Sequence, residues 1–250
     1  VDQILRALEA TGFSQDTVVL FTSDHGEMLG ERGLWYKMNF FEWASRVPLI
    51  VWAPGRFARG RVTGHVSLVD ILPTLVELGA GDGPAPDLAD VADGQSLVPL
   101  LQGEQTGRQH TALGEILCEG AIAPCFMIRR GRYKYIYSEP DPEQLYDLEE
   151  DPNELHNLAG QAEYDALRRR LFEEMTARWD RNAIRNDVLA SQRRRRLVAR
   201  ALATSQPTPW DFQPFRDASQ QYMRNHMELD DLERRARYPV PEIPQPDNSS

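Results

Sequence analysis

The sequence is poor in cysteine, lacks any long apolar run and is short of positive charge. Its 250 residues include two cysteines, Cys118 and Cys125, so a disulfide framework is excluded and a cysteine-rich zinc site cannot form. Both are expected to be plain buried thiols. No uninterrupted apolar stretch reaches the ~20 residues of a bilayer-spanning helix, and the opening VDQILRALEATG lacks the basic-then-apolar order of a secretory signal. No membrane partner is expected, and the expected compartment is cytoplasmic. The 28 Lys+Arg against 38 Asp+Glu give a formal net charge of −10, which argues against a nucleic-acid partner because a phosphate backbone demands a basic face. The remaining composition, 41% hydrophobic and 26% charged, is that of a globular protein with enough chain to bury a core in one or two domains.

The first residue is Val1 and not Met, and VDQILRALEA already runs at helical spacing, with Ile4, Leu5 and Leu8 on one face and Gly12 as the stop. Thr17 to Ser23, TVVLFTS, is a near-continuous apolar, β-branched run, the pattern of a strand covered on both faces of a sheet. A chain that starts inside such a helix-then-strand unit is expected to be the downstream part of a longer protein. The polar, Gly-rich DHGEMLGERG then forms a loop outside the strand's carboxyl end, where open α/β sheets hold their ligands. Pro48 to Gly55 reads as a second strand. Ser67 to Gly79 reads as a helix capped by Ser67, bent at Pro73 and stopped by Gly79. Ala80 to Gly94 is a Gly/Pro/Asp-rich surface loop, after which SLVPLLQG returns to apolar clusters.

From Ala112 to Ser138 the texture changes to short runs separated by Gly and Pro, the signature of an antiparallel sheet with Gly131 in a hairpin turn. EQLYDLEEDPNELHNLA leads into a helix from about Glu163 to Trp179, with Leu167, Leu171 and Met175 on one face, and a further helix runs through DVLASQRRRRLVARAL. Four successive arginines, Arg193 to Arg196, point around the whole helix circumference and read as a solvated surface. Beyond Ala203 the chain is rich in Pro and aromatics. Trp210, Phe212 and Phe215 are costly to leave in water, so this tail is expected to wrap onto another surface, that of a second copy being one candidate. The expected fold class is α/β, with residues 1–111 forming part of a mixed sheet with flanking helices. Residues 112–203 then make a smaller antiparallel sheet with helices, and 204–250 a helical C-terminal tail.

Chemistry concentrates after the first strand. Asp24 offers a hard anionic oxygen suited to a divalent cation, and His25 can either ligate a metal or donate to a bound oxyanion. Ten residues separate Gly26 from Lys37, which supplies a mobile point charge for a sulfate or phosphate. Taken singly, the triplet also fits a turn whose Asp caps backbone donors, and a lone lysine is ordinarily a solvated charge. Their combination on one loop points to an anion-binding metal site.

Four motifs in order, SDHGEMLGERGLWYKM, VPLIVWAPG, SLVDILPTLVELG and LYDLEEDPNELHNLA, resemble the downstream half of a sulfatase of the alkaline-phosphatase superfamily. GERGLWYKMNFFEWASRVPLIVWAPG together with the tail PWDFQPFRDASQQYMRNHMELDDLERRARYP resembles choline sulfatases over nearly the whole chain. The resemblance implies an alkaline-phosphatase-like mixed sheet and hydrolysis of choline sulfate by a formylglycine nucleophile. It implies Asp24 and His25 as metal-site residues and Lys37 as a sulfate-holding group, with Lys37 and His25 taking part in the chemistry. Ca²⁺ is expected ahead of Mg²⁺ or Mn²⁺, although the family usually has Asn after this Asp and imidazole is a poor partner for Ca²⁺. Glu115 and Asp231, with Asp230 as a close alternative, are the carboxylates expected to face a quaternary ammonium. Neither LCEGA around Cys118 nor PCFMI around Cys125 fits the C-x-P-x-R motif from which formylglycine is made, so the nucleophile is expected upstream and the chain alone is expected to be inactive. The tail is expected to mediate a homo-oligomer. Two other readings stand beside this one: a phosphonate or phosphate monoester hydrolase of the same superfamily, and a non-catalytic assembly module.

Overall fold

The structure is a computed structural model that describes residues 1–81, 83, 86, 92–104, 111–118 and 121–204. It divides into two compact units, Val1–Leu189 and Ala190–Ser250. The described part of the second is the downstream stretch of a helix, so the account below concerns the first.

Helix α1 (Asp2–Thr11) ends at Gly12, whose left-handed φ of 79° lets its N–H return to the last turn. Strand β1 (Val19–Thr22) pairs antiparallel with β4 (Leu49–Trp52), Val19 opposite Trp52 and Thr22 opposite Leu49. The expectation of two covered faces is not met: the cross-strand partners Phe21 and Ile50 are 41% and 57% exposed. An apolar run encodes the cover of a complete sheet, and among the described residues no third strand joins this ribbon. The segment expected as a loop contains a minimal hairpin, β2 (Met28–Leu29) against β3 (Trp35–Tyr36), followed by the one-turn helix α2 (Glu42–Ser45).

Ser67 caps the next helix as expected. Its hydroxyl accepts from the Asp70 backbone while its own N–H donates to Asp70 Oδ2 at 2.7 Å, a reciprocal capping box. A single 3₁₀ turn, Leu68–Asp70, leads into α3 (Ile71–Ala80). Pro73 therefore lies in the first turn of α3, where a missing N–H breaks no intrahelical bond, and no bend is needed. The stop is Gly81, with φ 64°, and not Gly79, which lies inside the helix. Helix α4 (Val98–Leu101) follows, tied back to α3 where the Leu97 N–H donates to Thr74 Oγ1 at 2.8 Å.

The antiparallel sheet runs in the order β5 (Thr111–Ile116), β6 (Cys125–Arg130), β7 (Tyr133–Ser138) and β8 (Gln144–Asp147), with Gly131 turning β6 into β7 at φ 56°. Period-two alternation gives this sheet two buried faces. Phe126, Ile128, Tyr135 and Leu145 pack on Leu171 and Met175 of α5 (Asp165–Arg178). On the other face Met127, Ile136 and Tyr146 meet Met28, Phe40, Phe41 and Ala44. The hairpin and α2 are thus docked on the sheet through their own apolar side chains, each fully buried one contributing roughly 1.5–3 kcal/mol. The last helix, α6, covers Arg181–Leu202. Among the described residues no helix is long and apolar enough to cross a membrane. Cys118 is exposed and Cys125 half-buried, contrary to the expectation of two buried thiols, because Cys118 lies just beyond the end of β5. Burial pushes the Cys125 thiol up to about 11, with Asp141 adding to the effect.

Candidate functional site

Immediately after β1 the chain turns on its own side chains. The Asp24 carboxylate accepts the His25 backbone N–H at 2.9 Å, and Ser23 Oγ donates to the His25 carbonyl at 2.7 Å. His25 Nδ1 lies 2.7 Å from the Gly26 carbonyl oxygen, so Nδ1 carries the hydrogen. In the neutral ring Nε2 then holds a lone pair, and it faces Asp24 Oδ2 at 3.2 Å. Two lone-pair atoms at this separation call for positive charge between them, from a second proton on the imidazole or from a cation. Bonds of about 2.1–2.4 Å to one ion set neighbouring ligand atoms roughly 3 Å apart, so the pair fits one edge of a coordination shell. Desolvation works to raise the Asp24 carboxyl, but the His25 N–H, the His25 ring and Ser23 together outweigh it and hold the group below the usual range. Among the described residues no group of three or more His, Cys, Asp or Glu could hold a metal, and two donors fall short of the 6–8 that Ca²⁺ takes.

This turn is pinned to α2 by backbone. Gly26 N–H donates to Ala44 O at 2.8 Å and Glu27 N–H to Trp43 O at 2.9 Å. A Cβ at Gly26 would stand 2.0 Å from Trp43 O, so only glycine permits the approach. Lys37 directly follows Tyr36, which has φ 69° and pairs across the hairpin with Met28. Its side chain is exposed and, among the described residues, engages no hydrogen bond or ion pair. Among the described residues it is an unpartnered cation presented at the end of an anchored hairpin.

The largest electrostatic feature was invisible to motif reading. Lys134 of β7 is 1% exposed, and its ammonium donates to Phe40 O at 2.8 Å while pairing with Glu42 Oε1 at 2.7 Å and Glu154 Oε1 at 2.8 Å. Glu154, also 1% exposed, accepts the Glu42 N–H on its other oxygen at 2.7 Å. Arg129 reaches both Glu42 oxygens at 3.0 Å, and Arg32 of the hairpin turn donates to the Glu154 carbonyl while lying 4.2 Å above the Phe41 ring. One signal existed: the alternation of YKYIYS puts Lys134 on the face of Ile136, where a lysine must find a buried anion.

Burial works to raise the Glu42 carboxyl, but Lys134 and Arg129 beside it outweigh this and hold it below its ordinary value of 4.5. The groups facing it are Lys134, Arg129, Arg46 at 3.6 Å and, through its backbone N–H, Glu154. A depressed folded-state value contributes stability that is present above 4.5 and lost as pH falls through the folded value. Thermal midpoints are therefore expected to hold from about pH 7 to about pH 5 and to decline below it. Glu42→Gln should flatten that decline, and an unaltered acid limb in this variant would contradict the assignment.

Of the other residues singled out from sequence, Glu115 is exposed on β5. It pairs with Phe126 in the register and so projects on the sheet face covered by α5, whereas the Asp24–Lys37 segment docks on the opposite face. The structure brings Asp24 and His25 together and joins neither to Lys37 or Glu115 by a hydrogen bond or ion pair. Asp230 and Asp231, with the aromatic tail, lie outside the described residues.

A family described as "Choline sulfatase enzyme C terminal" matches residues 186–238, and one described as "N-sulphoglucosamine sulphohydrolase, C-terminal" matches residues 30–181. A choline-sulfatase of Rhizobium meliloti (strain 1021) is 46% identical over 242 residues, spanning 96% of this chain and 46% of that protein. Among solved structures, a 2-O GAG sulfatase aligns with a TM-score of 0.61 at 31% identity, over 71% of this chain and 40% of its own. The phosphonate monoester hydrolase of Agrobacterium radiobacter aligns with a TM-score of 0.61 at 32% identity, over 75% and 38%. The chain thus spans less than half the length of each of these relatives.

Proposed function

The chain belongs to the sulfatase family of the alkaline phosphatase superfamily, and from that membership we propose that it is the downstream part of an enzyme hydrolysing choline sulfate to choline and sulfate. The observation that carries this reading is the Asp24–His25 pair, a carboxylate oxygen and a ring nitrogen 3.2 Å apart and so spaced to share one cation, on a turn clamped beside the hairpin that presents Lys37. The 46% identity to a choline-sulfatase supports the substrate.

In this reading Asp24 contributes a carboxylate oxygen to a divalent cation, Ca²⁺ ahead of Mg²⁺ or Mn²⁺. His25, oriented by its Nδ1–H to the Gly26 carbonyl, either completes that edge or donates to a sulfuryl oxygen. A cation held there would supply polarisation of the sulfuryl oxygens, and a formylglycine carried upstream would supply the nucleophile. Lys37 brings its ammonium to the charge that gathers on those oxygens as the ester bond breaks, which is most effective once bound substrate excludes water. At the other end of the pocket a quaternary ammonium offers no hydrogen-bond donor, so a carboxylate must meet it by charge. Asp231 or Asp230 from the tail is assigned that task, Glu115 lying on the opposite face of the sheet from the Asp24–Lys37 segment, and a tail shared between copies of the chain would bring it to a neighbour.

The substrate reading is tested by Asp231→Asn in the complete enzyme. The variant should lose about tenfold in kcat/KM on choline sulfate, equivalent to ~1.4 kcal/mol, with turnover of an uncharged aryl sulfate unchanged; equal losses on both would refute it. The similarity to a phosphonate monoester hydrolase favours a second reading, hydrolysis of phosphonate or phosphate monoesters. A higher kcat/KM on a phosphonate monoester than on choline sulfate would select it.

A further inference from the structure

We propose that Lys134, with Glu154 and Glu42, is a positioning device for the Asp24–His25 turn and the Lys37 hairpin, although all three lie outside that turn and hairpin. Its purpose rests on the metal- and sulfate-holding roles proposed above; the mechanical coupling does not.

Two strands of contact lead from the buried charges to the site. In the first, the Lys134 ammonium holds the Phe40 carbonyl and the Glu42 carboxylate, and Glu154 accepts the Glu42 N–H, so both ends of the Phe40–Glu42 corner are fixed to β7 and to the segment after β8. That corner starts α2, whose Trp43 and Ala44 carbonyls receive the Glu27 and Gly26 N–H groups. Asp24 and His25 follow directly, and the Gly26 carbonyl fixes the His25 ring. In the second, the Glu154 carbonyl holds Arg32 inside the β2–β3 turn, and Arg32 stacks on Phe41. The hairpin that ends in Lys37 is thereby bound to the same buried glutamate.

Backbone conformation marks the same assembly. Among the described residues three non-glycine positions have positive φ: Arg32 at 57°, Tyr36 at 69° and Glu154 at 57°. Each is unfavourable for a side-chain-bearing residue and persists only where the surroundings enforce it. Glu154 is the hub, Arg32 is its partner, and Tyr36 directly precedes Lys37. A buried charge cluster needed only for cohesion could be replaced by apolar packing, often without loss. This one instead fixes one carbonyl and one N–H of the corner on which the site turn rests, a directional task that apolar side chains cannot perform.

The test is amide hydrogen exchange of the full chain, comparing the Gly26 and Glu27 amides with those of β6 and β7. In Lys134→Met the ratio of exchange at Gly26 and Glu27 to exchange in the sheet is expected to rise at least about tenfold. Leu171→Ala, which opens a cavity on the opposite face of the sheet, is expected to change that ratio less than about twofold while lowering global stability. Where Lys134→Met alone leaves Glu154 stranded and fails to fold, Lys134→Met with Glu154→Gln removes both buried charges and should give the same rise. An equal ratio in the lysine variant and in Leu171→Ala, or no rise in either, overturns the proposal. Added Ca²⁺ is expected to slow the Gly26 and Glu27 amides in the wild-type chain and not in Asp24→Asn. Should it slow neither, the metal assignment of Asp24 fails while the exchange ratio still decides the positioning role.

Discussion

Replacing Lys37 by Met in the complete enzyme is expected to lower kcat for sulfate ester hydrolysis by about 10²–10³, the range found when one preorganised donor to a developing oxyanion is removed. The loss should come without a loss of stability. Lys37 is exposed and its side chain has no partner among the described residues, so the thermal midpoint should stay within the small range typical of surface substitutions. Lys37→Arg keeps the charge but exchanges a compact ammonium for a planar fork, and should recover only part of the rate. The pairing of a large rate effect with an unchanged midpoint separates an anion-holding lysine from a solvated one, for which neither quantity moves. Steady-state kinetics and a thermal melt of the same preparation provide both readings.

Lys134→Met is expected to do the reverse to the chain's stability, costing about 3–5 kcal/mol in urea unfolding, as when one partner of a buried ion pair is removed. The burden falls unevenly. Glu42 keeps Arg129 at 3.0 Å, whereas Glu154, 1% exposed, loses the cation facing its Oε1. Adding Glu154→Gln should therefore cost little more than the lysine change alone, and the coupling between the two positions should be large. A single-variant loss below about 1 kcal/mol would place the lysine among surface ion pairs, which contribute that little.

What the sequence discloses depends on how local the determinant is. Asp24 and His25 are adjacent in the chain, so their contact follows from a turn that three consecutive polar or small residues already announce. The Ser67 cap, the Gly131 turn and the Leu171–Met175 face of α5 are equally local, each decided within a few residues. Errors begin where a signal is shared between neighbours. Gly79 and Gly81 lie two apart, and only the second takes the positive φ, 64°, at which α3 stops. Pro73 looks disruptive until the helix is seen to start at Ile71. Strands of two residues, Met28–Leu29 and Trp35–Tyr36, have no period to detect, so the hairpin they form is indistinguishable from a loop in the sequence.

The support of the site is hardest to read because it is wholly non-local. Glu42, Lys134 and Glu154 are far apart in the chain, and nothing in the spacing of DHG to Lys37 indicates that the turn between them is held by a lysine from the antiparallel sheet. The apolar run of β1 misled for a related reason: it records the burial of a whole sheet, while the described residues supply a two-stranded ribbon.

The central claim is that Asp24, His25 and Lys37 form one part of a sulfatase site whose nucleophile is carried upstream. Its most direct test is sulfate release from choline sulfate by this chain alone, by a separately expressed upstream half, and by the two mixed in the presence of Ca²⁺. Release is predicted only from the mixture, and it should vanish when the chain carries Asp24→Asn. Undiminished release from the mixture with that variant would contradict the claim.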